Sequence, residues 1–137
     1  MIQEEYVSFE VAKLLKEKGF NEKCQKVYLE DGKPVWFTNF MEGESFGDNA
    51  DIKAVLDYNN SVTSAYLCPT HQVAMRWFRE VHNIFIEPLI DWGSGDEYWW
   101  TVDIVRIKKN GLIAELSGCE SYEDAVEAAL KYCLEII

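Results

Sequence analysis

The chain has 137 residues, with 13 Lys+Arg against 24 Asp+Glu for a formal net charge of -11, 48% hydrophobic residues and 14% aromatics. Aromatics at that level exclude a disordered chain, and the length suits one domain, 1–137, that folds without a metal or a disulfide. The acidic surplus is spread evenly, 12 acids to 7 bases in residues 1–68 and 12 to 6 in 69–137, which opposes nucleic-acid binding and an anionic membrane surface and leaves a basic protein partner compatible.

The first predicted element is a helix capped by Ser8, with Glu10 in its first turn and Gly19 at its end. Val11, Leu14 and Leu15 supply its apolar stripe. A hairpin follows: Val27-Tyr28-Leu29 and Val35-Trp36-Phe37 flank Glu30-Asp31-Gly32-Lys33-Pro34, in which Asp-Gly supplies the left-handed turn. Residues 39–49 read as a loop whose Phe40, Met41 and Phe46 fold back on the core, and Asp51–Asp57 as a short helix ended by Asn59 and Asn60.

Thr70 then caps a second helix with Val73, Ala74, Trp77, Phe78 and Val81 on its buried face. After His82-Asn83, Ile84–Glu87 reads as a strand stopped or edged by Pro88, and Asp91–Asp96 as a turn-rich connection. The next strand alternates strictly: Tyr98, Trp100, Val102 and Ile104 face one way, and Trp99, Thr101, Asp103 and Val105 the other, with a slip near Arg106 and Ile107. Lys109-Asn110-Gly111-Leu112 turns into a strand over Leu112–Leu116. Ser121 and Asp124 form a capping box for a last helix with Tyr122, Val126, Ala129, Leu130, Cys133, Leu134 and Ile137 on its apolar stripe. The order α-β-β-(α)-α-β-β-β-α predicts an α+β fold, a small and mostly antiparallel sheet packed against about three helices in two layers.

No basic, apolar leader opens the chain, and no run approaches the ~18 apolar residues of a membrane span. A cytoplasmic setting, in a host or an infected cell, is therefore expected, with Cys24, Cys68, Cys119 and Cys133 reduced. Their spacings fit no compact disulfide or zinc framework. Neither a metal nor a cofactor is expected.

Two chemistries compete. Cys68-Pro69-Thr70-His71 offers a thiol beside a helix start and an imidazole three residues on, the raw parts of a Cys68–His71 nucleophile pair. Glu87, Asp91, Asp96, Glu97 and Asp103, near Trp92, Trp99 and Trp100, offer an acid pair of the kind that cleaves sugars, although a solvated outer face of the strand also explains Asp103. Both would make a small hydrolase-like enzyme. Against them stands the aromatic excess, which suits protein contacts. Trp99 and Trp100 are adjacent, so in a strand they point to opposite faces and only one can fill the core. Trp92 and Trp99 are the candidate interaction residues. Arg76 and Arg79, three apart on the polar side of the second helix, are candidates for an acidic peptide or for pairing with neighbouring acids. The balance favours a non-enzymatic accessory or regulatory domain that binds a protein partner or a second copy of itself.

Three stretches, Phe9–Phe20, Pro69–Ile84 and Ser121–Leu130, together resemble a family of small uncharacterised proteins from Bacteroides-type gut bacteria and their phages or prophages. The resemblance implies a phage or mobile-element setting and accessory binding work. It supplies no catalytic residues, and Cys68 stands where that family more often has another small or apolar residue.

Overall fold

The computed structural model describes residues 3–36, 64–109 and 111–137. Their architecture is α+β, with three helices and two antiparallel sheets of three strands. The chain divides into two compact units, Met1–Thr70 and His71–Ile137. The expected loop over 39–49 and helix over 51–57 lie outside the described residues.

In the N-terminal unit, α1 (Phe9–Glu17) starts at Ser8, whose Oγ accepts from the Val11 N–H at 3.2 Å. It ends where Gly19 takes a φ of +87° and Phe20 N–H donates to the Leu15 carbonyl. The predicted hairpin forms β1 (Lys26–Leu29) and β2 (Pro34–Trp36), turned at Gly32 with φ +86°. A third strand, β3 (Ala65–Leu67), pairs with the other side of β1, so the sheet order is β2-β1-β3. β3 is a strand that the sequence reading missed. Three residues before Cys68-Pro69 are too few to display a period. Val11, Ala12, Leu15, Val27, Leu29, Ala65 and Leu67 are buried in the core of this unit.

The C-terminal unit has the order α2 (His71–Val81), β4 (Ile84–Trp92), β5 (Tyr98–Arg106), β6 (Gly111–Cys119) and α3 (Tyr122–Ile136). The three strands form a meander, order β4-β5-β6. α2 packs on β4, α3 packs across all three strands, and the two helices touch. The inner core joins Ile84, Ile86, Val102 and Ile104 of the sheet to Ala74, Trp77, Phe78, Val126, Leu130 and Cys133 of the helices, all buried.

One sequence expectation is decided here and another changes. Of the two readings of Pro88, stopping its strand or edging it, the second holds. β4 continues through it to Trp92, because β4 lies at the sheet's edge. The buried stripe of α2 is rotated relative to the prediction: His71 is buried, while Val73 and Val81 are exposed. Thr70, the residue before α2, also pairs its backbone with Tyr6. The Ser121 cap is as expected, its Oγ accepting from Asp124 N–H at 3.0 Å.

Candidate interaction surface

Strand alternation gives the C-terminal sheet two chemically distinct faces. The inner face runs Ile84, Ile86, Pro88, Ile90, Trp92 along β4, opposite Arg106, Ile104, Val102, Trp100, Tyr98 along β5. It is buried under the helices at its Ile84 end and opens towards the hairpin tip. Ile90 is 41% exposed, Tyr98 57% and Trp92 73%. Trp92 and Tyr98 lie directly opposite each other, with ring centroids 6.3 Å apart. Trp100 turns back into the unit and meets Tyr122 edge to face at 5.5 Å. The two adjacent tryptophans thus point to opposite faces, as alternation demands.

The outer face carries Phe85, Glu87, Leu89 and Asp91 from β4, and Trp99, Thr101, Asp103 and Val105 from β5. Glu115 and Leu112 of β6 stand opposite Asp103 and Val105. Phe85, Leu89, Trp99 and Leu112 are all exposed. Across the middle of this apolar set runs a row of three carboxylates, Glu87–Asp103–Glu115, each directly opposite the next. Like charges in direct cross-strand register repel. Asp103 Oδ1 is shut from solvent and has no hydrogen-bond partner, so the central carboxylate is also short of solvation. A fourth acid, Asp91, accepts a hydrogen bond from Thr101 Oγ1.

The hairpin tip adds Asp96 and Glu97, both exposed. Gly93 N–H donates to the Glu97 carbonyl at 2.9 Å and closes the turn. A Cβ on Gly93 would come within 3.0 Å of Trp99 Cζ3 and of Glu97 Oε2. Glycine at this position is what lets the Trp99 ring lie against the turn. The resulting surface is aromatic and aliphatic with an acidic centre and an acidic tip. That is the chemistry for a lysine- or arginine-bearing apolar segment.

The thiol and the imidazole singled out in the sequence are both buried. Cys68 is fully buried, and its Sγ donates to the Val7 carbonyl at 3.3 Å. A thiol that gives its proton to a carbonyl, out of reach of solvent, is the opposite of the exposed thiolate a nucleophile requires. His71 is 4% exposed, and its Nε2 lies 3.4 Å from Glu127 Oε1 while Nδ1 has no partner. Cys24 and Cys133 are buried too, and burial pushes the Cys133 thiol up to about 12 and Cys24 further still. No three His, Cys, Asp or Glu side chains among the described residues are arranged to hold a metal ion. Arg76 Nε pairs with Glu80 Oε1 at 3.0 Å on the exposed side of α2, and Arg79 is exposed one turn along.

Glu115 and Tyr98 were not singled out from the sequence. Glu87 stood among the acids near the tryptophans, and the register sets it opposite Asp103. Glu115 needed the register across two hairpins. No protein-family model matches the chain, nor does any curated protein or solved structure. Among the described residues no helix is long and apolar enough to cross a membrane.

Proposed function

We propose that the chain is a non-enzymatic accessory or regulatory domain that binds a partner protein through the outer sheet face and hairpin tip of its C-terminal unit, and that the bound segment is basic and apolar. One observation carries this reading: Asp103 is fixed between Glu87 and Glu115 in the middle of an apolar, exposed face. Repulsion within the row is relieved when cationic side chains approach, so the free protein holds in reserve an interaction realised only on binding. Phe85, Leu89 and Trp99 supply the apolar contact around it, and Trp92 with Tyr98, on the opposite face where the sheet opens at the hairpin tip, supplies an aromatic anchor for the end of the segment that wraps around the tip. Two copies of this face would set like charges against each other, so the reading commits to a different, basic partner over a homodimer through this surface. The resemblance to proteins of Bacteroides-type bacteria and their phages supports an accessory role and adds no chemistry. The enzymatic alternative built on Cys68 and His71 has no exposed nucleophile to support it.

The test is chemical-shift mapping with a short peptide that alternates Lys with Leu. The reading expects shifts clustered on residues 85–105 and 112–115. Shifts spread over the whole surface, or confined to the Arg76–Arg79 side of α2, would contradict it.

A further inference from the structure

The N-terminal unit holds a cation in an aromatic box. Lys26 opens β1 and lies directly opposite Trp36 across the β1–β2 pair. Tyr28, two residues on, shares its face of the sheet, and Tyr6 comes from the segment before α1. Lys26 Nζ sits 4.5 Å from the Tyr28 ring centroid and 5.2 Å from those of Tyr6 and Trp36. It donates to the Tyr28 hydroxyl at 3.1 Å, and that hydroxyl donates to the Val7 carbonyl at 3.2 Å. Tyr6 and Trp36 meet edge to face, centroids 5.1 Å apart at 89°. Three rings around one ammonium form a cation–π site, and its own lysine demonstrates what it attracts.

Two features exceed what holding Lys26 requires. The box opens into a groove of about 740 Å3, much larger than one ammonium fills. Glu4 and Glu5 line that groove, both exposed, and neither forms an ion pair among the described residues. Two carboxylates against one ammonium leave the groove negative with the lysine in place. Burial raises the Tyr6 and Tyr28 hydroxyls above their ordinary range, with Glu4 adding to the effect at Tyr6. Both rings therefore stay neutral.

We propose that the Tyr6–Tyr28–Trp36 box is a binding site for a methylated ammonium group, with Lys26 as its resident and displaceable competitor. The site is separate from the sheet face of the C-terminal unit and does not depend on the function proposed for it. An ordinary lysine from outside gains nothing over Lys26, which is tethered at an effective concentration on the order of millimolar or more. A methylated ammonium is more weakly hydrated. It gives up less water on entry and keeps its attraction to the ring faces, while Glu4 and Glu5 balance its charge. Displacing Lys26 forfeits one hydrogen bond, to Tyr28, and returns a well-hydrated ammonium to solvent. Lys26 is thus a selectivity filter: it raises the threshold for unmodified amines more than for methylated ones.

Calorimetric titration of the full chain tests this with three probes: tetramethylammonium chloride, a short peptide carrying trimethyllysine, and its unmodified twin. The trimethylated peptide should bind roughly tenfold or more tightly than the twin. Lys26→Ala should strengthen binding of both peptides and narrow the gap between them. Trp36→Leu should abolish binding, and Tyr6→Leu gives the same reading if the Trp36 variant unfolds. Tetramethylammonium matching the trimethylated peptide would identify a free quaternary amine as the ligand source, and a clear preference for the peptide would identify a modified protein. Wild-type protein that binds neither methylated probe, or both peptides alike, overturns the proposal. So does a Lys26→Ala variant that binds no better than wild type.

Discussion

Asp103 lies directly opposite Glu87 across the β4–β5 pair, with its Oδ1 sealed from solvent and without a hydrogen-bond partner. A sheet selected for stability alone would not place two carboxylates there, with Glu115 on the other side. Asp103→Asn removes the central charge and adds a donor that can reach its neighbours. It should stabilise the chain by roughly 0.5–1 kcal/mol, the size of a cross-strand pair term, and should weaken binding of the Lys–Leu peptide. Urea denaturation checks the first effect and calorimetry the second. A gain in stability with a loss of affinity is the signature of a site held at the expense of fold stability.

The tryptophans should divide by position. Trp92 is 73% exposed and Trp77 6%. Trp92→Ala should change stability by no more than about 0.5 kcal/mol, yet lower peptide affinity by about 2 kcal/mol, as an aromatic anchor does. Trp77→Ala should cost roughly 3–5 kcal/mol of stability by emptying the core. Urea denaturation and calorimetry on the two variants make the comparison.

Thiol reactivity should follow burial. Cys24, Cys68 and Cys133 are buried and Cys119 is half-buried. Burial raises the Cys119 thiol as well, with Asp124 contributing, but leaves it partly accessible. A chromogenic disulfide reagent should therefore label a single thiol, Cys119, in the folded chain, with the other three reacting only on unfolding. Cys68→Ala should leave peptide binding unchanged. Fast native labelling of Cys68 would revive the nucleophile reading.

His82 should make stability depend on pH. Its ring lies 4.6 Å from Trp77 and 5.8 Å from Phe78, and its buried Nε2 has no partner. Burial lowers its pKa below the ordinary value of about 6.5. The folded chain therefore binds a proton less readily than the unfolded one. The stabilising contribution is complete above about pH 6.5 and is lost as pH falls from there through the folded value. Thermal unfolding between about pH 7 and 5 should show the decline, and His82→Phe should flatten it.

Much of the fold was legible where local signals are strong. Ser8, Gly19, Gly32 and Ser121 mark turns and caps through their own backbone and side-chain chemistry, so the helix ends and the first hairpin follow from a few residues. The alternation of Tyr98–Val105 gave both faces of β5 before any partner strand was placed. What the sequence hid was tertiary. β3 is too short to carry a period, and Pro88 is tolerated only because β4 lies at an edge. The burial of His71 in place of Val73 and Val81 is set by where α2 meets the sheet. The carboxylate row depends on the registers of two hairpins at once, which is why Asp103 alone looked like a solvated residue. The aromatic box likewise needs Tyr6 brought to β1 from outside the sheet.

The most direct test of the account is calorimetric titration of the Lys–Leu peptide, and of a Glu–Leu counterpart, into wild-type protein and a Glu87→Gln, Asp103→Asn, Glu115→Gln variant at low and high salt. The account predicts binding of the Lys–Leu peptide alone, weakened by salt, and strongly reduced in the neutralised variant while that variant unfolds at an equal or higher temperature. A neutralised, folded variant that binds the Lys–Leu peptide as tightly as wild type would contradict it.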